Sequence, residues 1–356
     1  MKIEERISSF ESLGKYLKEY VDLKAEVKNK HLTEKTVFSV LENAVSNAEI
    51  ENPWFTRENI LIALKNISVS LEKSKIELFI QPYSEKLFNL KTPATIGVVM
   101  AGNIPLVGFH DFFSVLLSGH CFLGKLSSED AHLLPVIADI LFMINPEYRN
   151  LIAFSEEKLT GFDAIIATGS NNSYRYFEYY FGKYPHILRK NRNGIAILTG
   201  SETVDEMAGL ADDIFIFFGR GCRSISKLYL PENFNFELLA ESFQKYDHFA
   251  THHKFQNNYN YYKAIYLLDK VPFIDMGHLL LVENSEMASP VSVIYYEYYK
   301  DSCILAAKLT EVKDQIQCLV CCDPEVSGSI KPGQGQHPEL WDYADGIDTM
   351  EFLLNL

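Results

Sequence analysis

From Thr95 to Thr199 the chain repeats one pattern: a short segment apolar along its whole length, a turn of small residues, then a stretch of helical length. The apolar segments are Thr95–Met100, His120–Leu126 and Asp163–Thr168. Leu106–Leu117 reads as a helix ending at Gly119, and Ser127-Ser128-Glu129-Asp130 caps a second that ends near Ile144-Asn145-Pro146. A Tyr-rich helix follows Gly169-Ser170-Asn171-Asn172 and ends near Gly182. A strand wetted on one face alternates polar and apolar residues, so strands apolar throughout are covered on both faces, and helices of this length supply the crossovers that parallel strands need. The pattern predicts an α/β fold with a parallel sheet. Ile187–Lys190 and Gly194–Thr199 add strands, and 201–213 reads as a helix.

Beyond residue 222 a second α/β series is expected: strands at Ser226–Leu230, Gly277–Glu283, Ser292–Tyr296 and Ile316–Cys322, with a helix at Phe236–Tyr246. Before residue 90 the sequence gives helices only, one introduced by Leu32-Thr33-Glu34 and running to Asn43, another opened by Trp54–Glu58 and running to Ser68 or beyond. The closing stretch is polar and turn-rich, with Trp341 and Tyr343 as apolar anchors.

Three turns follow strands and precede helices: Gly102-Asn103, Ser127-Ser128 and Gly169-Ser170. Small residues there expose helix N-terminal amides, which cap ordinary helices and also hold phosphate oxygens. Neither GxGxxG nor GxxxxGK[ST] occurs. Lys125 ends a strand, where it reaches a ribose or phosphate or lays its stem along the surface. Cys222 closes the Gly219-Arg220-Gly221-Cys222 turn beside Arg223 and Ser224, after the apolar run Ile214–Phe218. A thiol delivered by glycines next to a guanidinium is accessible and favoured as thiolate, the form that attacks carbonyls and thioesters. Arg223 either steadies that thiolate or pairs with a surface acid.

The remaining cysteines (121, 303, 318, 321, 322) form no paired knuckles, and Cys318 and Cys321 fall in an apolar strand. His248, His252 and His253 cluster without completing HExxH, and no metal is expected. No GxSxG elbow is present. A formal net charge of −14 argues against nucleic acid as partner. The N-terminus lacks the apolar core of a secretory signal and no uncharged run reaches transmembrane length, which predicts a cytoplasmic protein without a membrane span.

In order along the chain, Asn103, Lys125, Gly169-Ser170 and Cys222 resemble the aldehyde dehydrogenase superfamily, and more closely its acyl-CoA reductase family, typified by the fatty-acid reductase of bacterial luminescence. The superfamily's Gly-Gln-x-Cys is similar to Gly219–Cys222 with Arg220 in place of glutamine. Asn103-Ile104-Pro105 resembles the Asn-x-Pro turn, which makes Asn103 the oxyanion donor, and Gly169-Ser170 resembles the pyrophosphate step. Lys125-Leu126-Ser127-Ser128 is a partial match to Lys-Pro-Ser-Glu: Lys125 takes the adenosine-ribose position and Ser128 stands where a glutamate reads ribose hydroxyls, which implies NADPH, with NADH left open. Glu286–Val291 resembles Glu-x-Phe-Gly-Pro-Val, whose glutamate holds the nicotinamide ribose. The stretch 333–350 most resembles the acyl-CoA reductase subgroup.

The resemblance implies an aldehyde dehydrogenase-like fold, a Rossmann-type parallel-sheet cofactor domain plus a second α/β catalytic domain. The expected divisions are a helical region over 1–90, the cofactor domain over 91–215, the catalytic domain over 216–325, and 326–356 packing back on the body. It also implies reduction of a long-chain acyl-CoA to aldehyde through a Cys222 acyl-enzyme, a homo-oligomer, and an acyl-protein synthetase as possible partner. Two alternatives stand beside it: a Cys-dependent aldehyde dehydrogenase, and a non-catalytic cofactor-binding scaffold in an acyl-transfer complex. The Glu-Leu-Gly-Gly-Lys segment that supplies the hydrolytic base of aldehyde oxidisers corresponds to the region of Leu188–Asn191, where no glutamate stands.

Overall fold

The computed structural model describes residues 1–26, 36–88 and 92–356, which form two compact units, residues 1–190 with 339–356 and residues 191–338. The first unit opens with five helices: α1 (Ile3–Glu26), α2 (Thr36–Glu51), α3 (Arg57–Ser70), α4 (Lys73–Ile80) and α5 (Ser84–Phe88). The 24-residue α1 was not legible as one element, because charges interrupt its apolar stripe; Phe10, Leu13, Leu17 and Tyr20 nevertheless lie on one buried face at helical spacing. Thr56 caps α3 by accepting the Asn59 N–H, as the Trp54–Glu58 opening predicts. The expected start of α2 at Leu32–Glu34 lies outside the described residues, and the helix runs on past Asn43 to Glu51.

The alternating elements follow: β1 (Thr95–Val99), α6 (Phe109–Ser118), β2 (Cys121–Lys125), α7 (Leu133–Ile144), β3 (Ile152–Phe154), β4 (Ala164–Thr168), α8 (Asn171–Phe181) and β5 (His186–Arg189). They form one parallel sheet in the order β3-β2-β1-β4-β5. Ile96 and Val98 of β1 and the run Ala164–Ala167 of β4 are fully buried, as strands covered on both faces are. Gly119 ends α6 in the left-handed region with φ 99°, the conformation a helix C-cap glycine provides.

The second unit contains β6 (Asn193–Ile197), α9 (Val204–Phe215), β7 (Ile225–Pro231), α10 (Phe236–Phe243), α11 (His253–Leu268), β8 (Ile274–Asp275), β9 (Leu280–Glu283), β10 (Val293–Tyr299), α12 (Ser302–Glu311) and β11 (Ile316–Cys321). Its sheet runs β11-β6-β7-β10-β9-β8, parallel except for the β8 edge. The expected division at 215/216 therefore falls inside this unit. β6 hydrogen-bonds to β7 and β11, so the chain changes unit at Lys190/Asn191, before β6 begins.

The last segment returns to the first unit and ends in α13 (Thr349–Leu354). His110 Nε2 pairs with Leu340 O at 2.8 Å, His120 Nε2 with Leu353 O at 2.9 Å, and Tyr83 donates to Asp348 at 2.6 Å. Met350 and Leu353 join the same core as α1 and α6. Of the two expected aromatic anchors, Tyr343 packs against Phe79, whereas Trp341 is 43% exposed and anchors little.

Candidate active site

In the first unit the chain runs outward from β1 through β2 to β3, then resumes on the other side of β1 with β4 and β5. Such a reversal opens a crevice beyond the carboxyl ends of the strands on either side, where doubly wound sheets bind ligands. The three turns singled out in the sequence follow β1, β2 and β4, three adjacent strands. The sheet thus brings Asn103, Lys125, Ser128, Gly169 and Ser170 to one end of itself.

Local contacts fix these turns. A Cβ on Gly102 would overlap the Ser127 side chain, so the first two turns touch and the glycine is required by close approach. Ser170 caps α8 by accepting the Ser173 N–H at 3.3 Å. A Cβ on Gly169 would meet Ser173 and Phe177 of that helix at 2.8 and 2.9 Å. Close packing of this turn on α8 therefore requires the glycine, and in dinucleotide-binding folds the amides of such a helix N-terminus are the groups that hold pyrophosphate oxygens. Lys125 is half-buried and donates to Glu157 O at 2.9 Å, while Ser128 is exposed.

One expectation about these turns is corrected. Ser127–Asp130 do not form the first turn of α7, which starts at Leu133 after His132. Ser127 instead accepts the Glu129 N–H, and Asp130 turns inward and accepts the Leu106 N–H at 2.7 Å. Leu106 stands at φ 58°, a left-handed backbone that costs a non-glycine residue roughly 1–2 kcal/mol, and α6 begins at Phe109 rather than at Leu106. Burial raises the Asp130 carboxyl to about 6, although its bonds to backbone N–H groups pull the other way.

Next to this crevice the sequence offered no reading of Arg189. It ends β5 at 4% exposure and pairs bidentately with Asp111 of α6, at 2.6 and 2.8 Å, with a third bond to Thr349 at 2.9 Å. The signal was an aspartate inside the mostly apolar Phe109–Leu117, where a buried carboxylate needs a counter-ion or hydrogen-bond donors.

Cys222 lies in the second unit, half-buried in a turn closed by Ser224 N–H to Gly221 O at 3.0 Å, directly before the amino end of β7. The apolar run that precedes it splits. Ile214 and Phe215 finish α9, then Phe217, Phe218 and Gly219 all adopt left-handed backbone, with φ 57°, 57° and 70°. Phe218 is held there by Phe249 and His252, whose rings lie 4.4 and 4.3 Å away. His252 also caps α11 by accepting the Phe255 N–H, which gives this histidine a structural task. Among the described residues no group of three or more His, Cys, Asp or Glu side chains is arranged to hold a metal. Cys318 and Cys321 are buried in β11.

Arg223 neither meets a surface acid nor is free to serve the thiol alone: its Nε donates to Gly335 O at 2.6 Å. Glu286 is exposed in the loop between β9 and β10. Ser226 donates to Met287 O at 2.8 Å and the buried Lys227 donates to Asn284 O, so the strand that begins after Cys222 also anchors the loop of Glu286. Lys227 pairs with Glu297 at 2.7 Å, and its burial lowers its pKa.

The model of the acyl-CoA reductase (LuxC) family matches residues 3–253. The chain belongs to that family. No curated protein matches it by sequence. Among solved structures it is similar to aldehyde dehydrogenase 21 from Physcomitrella patens in complex with succinate, with 12% identity over 100% of this chain and 84% of that one at a TM-score of 0.64. It is similar to a Mycobacterium tuberculosis aldehyde dehydrogenase complexed with NAD+, with 12% identity over 94% and 76% and a TM-score of 0.61. An NADP-dependent enzyme of E. coli gives 13% identity over 92% and 79% and a TM-score of 0.56. The LuxC-family chain therefore has the aldehyde dehydrogenase fold, a Rossmann-like cofactor-binding region and a second α/β domain, as the sequence predicts. No helix among its described residues is long and apolar enough to cross a membrane.

Proposed function

We propose that this LuxC-family protein is an NAD(P)-dependent oxidoreductase working through a thioester on Cys222, and that its reaction is reduction of an acyl-CoA to the aldehyde. The family supports the substrate class. The observation that carries the direction is Arg189. In the region where aldehyde oxidisers resemble one another in a water-activating glutamate, this chain has an arginine locked to Asp111 and Thr349. Hydrolysis of an acyl-enzyme needs a base; exchange with CoA and reduction do not.

In this reading the Cys222 thiolate attacks the thioester carbonyl and forms the new S–C bond, the tetrahedral oxyanion collapses with cleavage of the C–S bond to CoA, and CoA leaves as a thiolate that takes a proton from solvent. Asn103 and the Cys222 N–H are the donors for the oxyanion. When bound, the reduced nicotinamide supplies the hydride that takes the acyl group to aldehyde and frees the thiolate. Gly169 and Ser170 hold the pyrophosphate, Lys125 and Ser128 the adenosine ribose, and Glu286 the nicotinamide ribose. Ser128 in place of a carboxylate favours NADPH, because that side chain sets no negative charge against a 2′-phosphate, while the neighbouring Glu129 leaves NADH open.

A second reading, oxidation of an aldehyde, is favoured by the solved relatives, several of which are named aldehyde dehydrogenases. A panel of acyl-CoAs with NADPH or NADH, followed for cofactor oxidation and aldehyde, run beside the matching aldehydes with NADP+ or NAD+, followed for cofactor reduction and free acid, separates the two. Aldehyde formation faster with NADPH supports reduction. Turnover only of aldehyde with oxidised cofactor, yielding free acid, would replace it with the second reading.

A further inference from the structure

Asp213 is a carboxylate with no exposed surface, on the inner face of α9 beside Leu210 and Ile214. Its two oxygens are used on one loop: Oδ2 accepts the Gly333 N–H and Oδ1 the Gly335 N–H, both at 2.7 Å. The approach is so close that a Cβ on Gly335 would lie 2.7 Å from Asp213 Oδ1, and one on Gly209 would meet Pro332 backbone at 2.8 Å. The same loop then reaches the Cys222 turn twice. Gly335 O accepts from Arg223 at 2.6 Å, and Gln336 Nε2 donates to Ser224 Oγ at 3.3 Å. Ser224 Oγ also accepts the Gly221 N–H, and Gln336 Nε2 reaches back to Asp213 O at 3.3 Å. Gln336 and Ser224 are 4% and 2% exposed, so these bonds compete with little water.

We infer that the Gly333–Gln336 loop is a clamp on the Cys222 turn, anchored by Asp213 and delivered through Gln336 and Arg223, and that these three are positioning residues for the nucleophile. Three features favour this over general packing. The residues on both sides of Cys222, Gly221 and Arg223, are tied to the clamp. The turn follows three left-handed residues, a backbone that would relax if nothing held its far end. The anchor is a buried carboxylate spent on two backbone amides, a costly arrangement where an apolar contact would serve for stability alone. The clamp rests on the reading of Cys222 as nucleophile, but its effect on the thiol is measurable without turnover.

The test is alkylation of the full-length protein by iodoacetamide between about pH 6 and 9, resolved by peptide mass spectrometry. Cys303, exposed on α12, serves as internal control. Gln336→Ala, Asp213→Asn and Arg223→Lys are compared with the unaltered chain, and kcat, acyl-CoA KM and cofactor Kd are measured on the same samples. The expected result is a Cys222 alkylation profile displaced along pH or changed several-fold in rate, with Cys303 unchanged. A ten- to hundredfold fall in kcat should accompany it, with KM and cofactor Kd within about twofold. Ser224→Ala combined with Gln336→Ala should cost less than the sum of the two single changes, since both cut the Ser224–Gln336 bond. Unaltered Cys222 profiles in the folded variants would overturn the clamp, whatever the activity. Full aldehyde formation by Cys222→Ala would instead overturn the nucleophile, while the alkylation profiles still decide the clamp.

Discussion

The two sheets present their candidate residues differently, the first from one end of its strands and the second from both. In the first unit Asn103, Lys125, Ser128, Gly169 and Ser170 all lie at or beyond the carboxyl ends of β1, β2 and β4. In the second, Cys222 stands before the amino end of β7 and Glu286 after β9. A parallel sheet with a reversal in strand order makes the first kind of site with no special device, because the crevice is a consequence of topology. The second kind has to be built. It uses left-handed residues, side-chain bonds from Ser226 and Lys227, and the loop held by Asp213.

The largest expected effect separates the nucleophile from cofactor binding. Cys222→Ala should lower aldehyde formation by at least about a thousandfold while leaving cofactor Kd unchanged, read by fluorescence titration beside steady-state rates. A matching loss of cofactor binding would mean that Cys222 also serves the cofactor or that the variant is misfolded.

Next is the first unit's buried ion pair. Asp111→Ala leaves the Arg189 charge uncompensated, and guanidinium unfolding should show a loss of about 3–5 kcal/mol. A loss under about 1 kcal/mol would mean that Arg189 finds solvent and is not locked in the place of a base.

Asn103→Ala should reduce kcat by about a hundred- to a thousandfold with little change in KM, the signature of a donor that acts on the transition state. A change in KM alone would make Asn103 a binding residue only.

The smallest effect concerns the two buried carboxylates that hold loops, one in each unit. Burial raises Asp213 to about 7 and Asp130 to about 6, from an ordinary value of 3.8. Both are protonated in folded and unfolded chains at low pH. Above about pH 4 the unfolded chain ionises first, so the stability linked to the bound proton is lost as pH rises through the folded values. Against Asp213→Asn, the unaltered chain should lose relative stability between about pH 4 and 7 and level off above; against Asp130→Asn the levelling should come lower, near 6. Thermal unfolding across that range checks both, and parallel curves would contradict the assignment.

The same contrast explains what could be read from the sequence. β1, β2 and β4 were legible because a strand buried on both faces has one pattern, and their turns were legible because small residues follow each strand. The turn that carries Cys222 was legible by its glycines. The clamp was not: Asp213 follows Asp212 at the end of a helix, and only the fold tells which of the two faces inward, while Gly333 and Gln336 lie about 120 residues farther along. The α11 helix was missed because its Asn- and Tyr-rich sequence has low helical preference and is stabilised by packing through Phe255 and Tyr259. The change of unit at 190/191 was missed because β6 reads like the strands before it, and its pairing with β7 and β11 is a tertiary fact.

The most direct test of the central claim needs no cofactor. The protein is mixed with a long-chain acyl-CoA and its intact mass and free CoA thiol are followed, with Cys222→Ala in parallel. One acyl group should be added per chain, on the peptide containing Cys222, with CoA released in equal amount and neither seen in the variant. CoA release and acyl transfer that persist in Cys222→Ala would contradict that claim.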